Sequence, residues 1–235
     1  MDNIKLKIKY KISKMKDRKL PLDIRRISGT KSSESLQDSR GKMRKQKAKR
    51  IIGILGSPRR GGNTKILLDK ALEAARRKGA KTKKIILNEL RFSPCQECEN
   101  IRKDGVCTIK DDWQKIVSEI KKADGLILAS PIFFGSVSAQ TKMFIDRFQC
   151  LWLAKNVFQT YKAKKRKIGA FICVEASDRK DFFENAKAIV KNFFVTIDTD
   201  YKSELLCCGI DSKGAINKKP NCLKKAFEIG EKIAI

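Results

Sequence analysis

The chain has 235 residues, with 54 Lys or Arg against 26 Asp or Glu, eight cysteines and no histidine. That length suits one sizeable core with an appendage and is short for two full domains. The missing histidine excludes a Ser-His-Asp triad, a Cys-His nucleophile pair and the commonest zinc and copper ligand, while no apolar run approaches the roughly 18 residues of a membrane span.

A soluble protein is therefore expected. Without a secretory start, its thiols are expected to be reduced and cytoplasmic. The net charge of +28 is spread along the whole chain. It attracts polyanions at low salt without implying recognition of a specific nucleic acid.

Residues 1–49 read as a basic extension. The first 50 residues hold 18 Lys or Arg, 5 Asp or Glu and a single aromatic, Tyr10, too little apolar material for a core. This composition predicts disorder, although the alternation of Ile4, Leu6, Ile8, Tyr10 and Ile12 with lysines would suit an edge strand. Met43 stands just before the first core strand, so a natural start of translation there is a further expectation, decided by the intact mass of the native protein.

From Arg50 onward, short apolar runs alternate with amphipathic stretches, the βαβ pattern of a parallel sheet. Strands are expected at Ile51–Gly56, Lys84–Leu90, Gly125–Ala129, Lys167–Val174 and Ser203–Cys208. Helices are expected at Thr64–Lys78, Asp112–Lys122, Ser138–Leu151, Lys180–Phe194 and Asn221–Ile235. Right-handed crossovers make this a doubly wound five-stranded parallel α/β sheet with helices on both faces, whose chain reversal opens a ligand crevice.

Two segments following strands carry the chemistry. Gly56-Ser57-Pro58-Arg59-Arg60-Gly61-Gly62-Asn63-Thr64 leads from the first strand into the first helix. Its glycines permit a tight turn, helix N-terminal amides face an anion, and Ser57, Asn63, Thr64 and Arg59 add donors and charge. It is neither a Walker A loop nor a Gly-x-Gly-x-x-Gly fingerprint. Ala129-Ser130-Pro131-Ile132-Phe133-Phe134-Gly135-Ser136 follows the third strand; Pro131 stiffens it, Phe133 and Phe134 offer apolar faces to a flat ring or to the core, and Gly135 admits close main-chain approach.

Those two segments, together with Asp111-Asp112, Ala123-Asp124-Gly125 and Lys142-x-Phe144-Ile145-Asp146-Arg147, resemble the NADPH-dependent FMN reductase and iron–sulfur flavoprotein family, from about Arg50 to the C-terminus. The resemblance implies a flavodoxin-like domain over residues 50–235. It also implies that Ser57, Arg59, Gly62, Asn63 and Thr64 bind the FMN phosphate, while Pro131, Ile132, Phe133, Phe134 and Gly135 border the isoalloxazine ring. A glycine-rich loop usual after the fourth strand reads Val174-Glu175-Ala176-Ser177-Asp178-Arg179 here, which places flavin contacts from that loop in doubt.

Related iron–sulfur flavoproteins carry four closely spaced cysteines for a [4Fe–4S] cluster. This chain has Cys95, Cys98 and Cys107, with Ile101 where the third cysteine would stand. Cubanes ordinarily need four thiolates, so the reading favours no intact cluster, with Cys150, Cys173, Cys207, Cys208 and Cys222 the remaining sulfur ligands in the chain. The family resemblance implies a redox enzyme in which NAD(P)H reduces bound FMN and an unidentified small-molecule or protein acceptor receives the electrons. An electron carrier fed by ferredoxin is the alternative, and nucleic-acid binding through the extension a remote one. No side chain is named as an essential acid or base, Asp111-Asp112 is read as helix capping, and a homodimer or higher homo-oligomer is expected by analogy, with Trp152 at its interface.

Overall fold

The computed structural model describes residues 47–98, 102–163 and 165–235. The alternating stretch from Ile4, Met43 and Ile101 lie outside the described residues.

Strand β1 (Arg50–Leu55) is buried from Ile51 onward, as a parallel strand covered on both faces must be. It lies between β2 (Lys81–Ile86) and β3 (Gly125–Phe133), and β3 pairs in turn with β5 (Lys167–Val174), which pairs with β6 (Thr199–Cys207). All four pairings are parallel. The two-residue β4 (Ser136–Val137) folds back antiparallel on the end of β3, an addition to the five strands expected. From β1 the chain runs outward to β2 and then crosses to β3 on the other side of β1, so the loops after β1 and β3 part at the same edge.

Two apolar layers cover the sheet. On one face, α1 (Asn63–Arg77) and α6 (Pro220–Ala234) contribute Leu67, Leu68, Ala71, Ala226, Ile229 and Ile233. On the other, α2 (Trp113–Lys122), α3 (Ala139–Asp146), α4 (Gln149–Asn156) and α5 (Asp181–Thr196) close over the sheet around an edge-to-face cluster of Trp113, Phe144, Phe148 and Phe193. Trp113 is thus a core residue.

Boundaries differ where tertiary contacts override the local pattern. β2 begins at Lys81, and its Lys81, Lys83 and Lys84 blunt an edge that would otherwise invite pairing; its expected end instead closes as a turn over Leu87–Glu89. Beyond the last β1 partner, β3 continues through Ser130 and Pro131, which pair with Cys173 and Val174. β6 starts four residues early through the polar Thr199–Lys202 stretch. The single helix expected at Ser138–Leu151 is two helices, because Arg147 turns inward and the Phe148 N–H bonds the Ile145 carbonyl at 2.9 Å, a tightened i→i−3 turn.

Helices α1 and α6 approach most closely at Gly230, where a Cβ would lie 1.9 Å from the Ala71 carbonyl oxygen and 2.8 Å from the Ala74 Cβ. Only a glycine fits against that backbone. Gly230→Ala is expected to push the helices apart at a cost of about 1–3 kcal/mol, read as a lower urea midpoint with an unchanged slope.

Candidate functional site

At the edge where β1 and β3 end, one cleft is lined by Ser57, Arg59, Gly62, Asn63 and Thr64 from one side and Pro131, Ile132 and Phe133 from the other. Eight of the ten residues singled out in the sequence therefore meet. The other two stand outside this lining. Gly135, at φ 72°, is buried with Phe182 packed against its α-carbon, while Phe134 is fully exposed at the tip of the β3–β4 turn with φ 50°. The Asn185 amide donates to the Gly135 carbonyl at 2.8 Å, fixing that turn to α5.

The phosphate-side loop is organised by its own atoms. The Arg59 N–H donates to Ser57 Oγ at 3.3 Å, the Gly62 N–H to the Arg59 carbonyl at 3.2 Å, and Gly61 turns the chain at φ 68°. Gly62 is the N-cap of α1 and provides no capping side chain. The first N–H groups of this helix have no intrahelical acceptor, so its positive end opens on the cleft.

The two side chains expected to be strong phosphate donors are engaged elsewhere as well. Arg59 Nη1 donates to the Asp211 carbonyl at 3.0 Å. Asn63 donates to the Ser212 carbonyl at 2.9 Å and accepts from the Ile216 N–H at 3.3 Å. Its carboxamide is thereby committed to the connection between β6 and α6.

Sequence reasoning missed Ile210 and Asp211, whose signal was positional, since they follow the C-terminal end of β6. Val174 and Ala176, at the end of β5 and in the loop whose flavin contacts the sequence placed in doubt, complete the lining. Glu175, between two of them, is buried; its Oε1 accepts from the Ser177 N–H and hydroxyl, at 3.1 and 3.0 Å.

A buried hydroxyl cluster also went unread. Ser138, the N-cap of α3, donates to the Gly56 carbonyl at 2.6 Å and lies 3.0 Å from the Thr141 hydroxyl, which donates to Ser130 Oγ at 3.2 Å. The Ser138 N–H also donates to Ser130 Oγ, at 3.0 Å. These bonds tie the ends of β1 and β3 to one helix, and a Cβ on Gly56 would fall 1.8 Å from Thr141 Oγ1.

Beside the cleft helices lies the cysteine segment. Arg147, whose side chain has no exposed surface, donates to both Asp111 carboxylate oxygens at 2.7 and 3.3 Å, to the Ser93 carbonyl at 2.8 Å and to the Ile109 carbonyl at 3.2 Å. Burial alone would raise the Asp111 pKa, but bonds from Arg147 and from the Ser93 and Trp113 N–H groups outweigh it and hold the carboxyl below its ordinary value. Asp112, the N-cap of α2, makes no capping bond and instead accepts from the Arg91 N–H at 3.0 Å. Asp111 also accepts from the Trp113 N–H, the first of α2, at 3.0 Å, so the acidic pair serves the helix start and anchors the segment as well.

All eight cysteines are free, and Cys95, Cys98, Cys107 and Cys150 are half-buried. Burial, then the charge of Cys107 and Cys95, pushes the Cys150 thiol up to about 11. No three His, Cys, Asp or Glu side chains among the described residues are placed to hold a single metal ion. No helix among the described residues is long and apolar enough to cross a membrane.

The sequence model of a family described as NADPH-dependent FMN reductase matches residues 49–186. An iron-sulfur flavoprotein of Methanocaldococcus jannaschii is 40% identical over 146 residues, 62% of this chain and 72% of that protein. One from Archaeoglobus fulgidus is 35% identical over 145 residues, covering 62% and 71% of the two chains. Among solved structures, an NAD(P)H:quinone oxidoreductase from Methanothermobacter marburgensis superposes with a TM-score of 0.65 at 14% identity, over 80% of this chain and 98% of that one; the likeness is one of fold.

Replacing Arg147 by Met leaves Asp111 charged and poorly paired. The expected loss at neutral pH is about 3–5 kcal/mol. Since the folded pKa of Asp111 is depressed, the pair's contribution is present above the unfolded value near 4 and fades as pH falls through the folded one. Urea unfolding of both proteins should therefore show the difference shrinking in acid.

Proposed function

Because the chain belongs to the NADPH-dependent FMN reductase family, we propose that its cleft binds FMN and that the protein is an oxidoreductase passing electrons from NAD(P)H to an acceptor. The carrying observation is that the β1–α1 loop and the end of β3 line one cleft with the uncapped positive end of α1 at its base. The donor set fits a phosphate dianion: main-chain N–H groups at a helix start, the Ser57 hydroxyl and the Arg59 charge. Bound there, FMN would supply hydride acceptance and onward electron transfer.

The chain's own residues then bind, orient and shield. Gly61 and Gly62 let the backbone approach the phosphate, and a Cβ on Gly62 would already sit 3.0 Å from that of Arg59. Asn63 contributes through its main-chain N–H, its carboxamide being held by Ser212 and Ile216. Thr64, in the first turn of α1, adds its N–H and hydroxyl. Pro131, Ile132 and Phe133 flank the ring, with Phe134 and the Gly135 backbone at its outer edge. Val174, Ala176 and Ile210 exclude water from the far side.

The iron-sulfur flavoproteins among the relatives, together with the cysteine segment, favour a second reading as an electron carrier fed by ferredoxin. Donor specificity separates the two. Under anaerobic conditions NADPH or NADH should bleach the bound flavin; reduction by reduced ferredoxin and by neither nucleotide would leave the carrier reading in place of the reductase.

Purified protein is expected to take up FMN stoichiometrically. Arg59→Ala, removing one charge-assisted bond worth about 1.5–3 kcal/mol, should weaken binding roughly 10- to 100-fold, measured by quenching of flavin fluorescence. Protein that stays colourless with micromolar FMN would refute the assignment.

A further inference from the structure

A cubane cluster is held by four thiolates, and the cysteine segment supplies three: Cys95, Cys98 and Cys107, with Ile101 at the intervening position. The fold lays this segment on the start of α4. Gly105, at φ 76°, packs so tightly that a Cβ would lie 3.0 Å from the Ala154 Cβ and 3.4 Å from the Leu151 Cα. Leu151 directly follows Cys150. The Thr160 hydroxyl, just beyond α4, donates to the Lys103 carbonyl.

Arg147, one turn before Cys150, grips the Ser93 and Ile109 carbonyls, two residues outside Cys95 and two beyond Cys107. Both ends of the segment are thus drawn to the helix start that carries the fourth sulfur. Cys107, Cys150 and Cys208 all pack against the same apolar layer, and Cys150 Sγ lies 3.3 Å from the Arg147 carbonyl.

The remaining cysteines are placed differently. Cys173 is fully buried in the middle of the sheet, Cys207 and Cys222 join the layer on the opposite face, and Cys208 follows β6 at the far edge. Cys95, Cys98, Cys107 and Cys150 are partly exposed, as are Cys208 and Cys222, so what sets the four apart is the packing of the cysteine segment on the start of α4.

We propose that Cys150 stands in for the cysteine missing at position 101, so that Cys95, Cys98, Cys107 and Cys150 together ligate a [4Fe–4S] cluster. The proposal rests on the family reading but not on NAD(P)H as donor. It is consistent with the absence of a single-ion site among the described residues, because a four-iron core spreads its thiolates wider than one ion does. Each thiol releases its proton to solvent as its sulfur takes an iron. The Arg147 guanidinium, which also interacts with Cys107, would offset the net negative charge of a four-thiolate cluster.

The test is anaerobic reconstitution of the full chain with equal ferrous and ferric iron and sulfide. Wild-type protein should retain about four iron and about four sulfide per chain after desalting. Cys150→Ser should lose at least half of both and Cys208→Ser should lose none, each keeping its FMN. Ile101→Cys in the Cys150→Ser background should restore the wild-type content. Alkylation mapped on wild-type protein needs no variant: Cys95, Cys98, Cys107 and Cys150 should become protected together upon reconstitution, while Cys208 stays as reactive as before. Wild-type protein that retains no iron, Cys150→Ser that retains the full amount, or a Cys150 that stays reactive in the reconstituted protein would each overturn the proposal. Flavin content, measured on the same samples, reports separately on the FMN reading.

Discussion

A guanidinium with no exposed surface has to be met inside the protein, and the way Arg147 is met organises half of the molecule. Its partners are a carboxylate and two carbonyls from the segment between Ser93 and Asp111, a stretch whose described residues form no helix or strand. The Trp113 ring covers the guanidinium at 5.0 Å. A buried ion pair is weak evidence for net stability, since desolvation of both charges offsets much of their attraction. Its clearer consequence is uniqueness: any other path for the segment strands a buried charge.

The same residue stands where α3 and α4 separate. Arg147 is the C-cap of α3, three residues after buried Phe144 and so on the inward face, and the tightened turn at Phe148 sets the start of α4, which packs against Gly105. At its other end, α3 begins with Ser138 and Thr141, whose hydroxyls hold the termini of β1 and β3. One short helix therefore braces two places at once. Its first turn ties together the ends of β1 and β3, and Arg147, directly after its last residue, draws in the cysteine segment.

How much of this was legible in the sequence depends on the range of the contact. β5 could be read to the residue because Ile168–Val174 is an unbroken run without polar side chains, bounded by Lys167 and Glu175, and the doubly wound order followed from alternating strands and helices. The cleft was legible because its main walls are contiguous segments, each following a strand. Arg147 was not, since a charged residue on an amphipathic pattern belongs by default to the solvent face, and its partners lie 36 or more residues away. The hydroxyl cluster was equally silent: Ser130, Ser138 and Thr141 are small, polar and aperiodic, and nothing local says that they meet.

Asn63 carries this point further, because a side chain read from the sequence as a ligand donor has protein partners 149 and 153 residues away. Arg59 and Asn63 both reach across to the stretch after β6, taking the Asp211 and Ser212 carbonyls, while the Ile216 N–H returns a bond to Asn63. That stretch is itself tied to the β5 loop, with the Ile210 N–H donating to the Glu175 carbonyl at 3.0 Å and the Gly209 N–H to the Ser177 carbonyl at 3.1 Å. The stretch after β6 thus links the loops after β1 and β5 along the cleft, with Arg59 and Asn63 among its fasteners. The N–H groups at the start of α1, left without intrahelical acceptors, face the cleft beside these bonds. Asp211 belongs to the same lining of the cleft, and its carboxylate lies 4.0 Å from Arg59 Nη1, so the two charges offset each other.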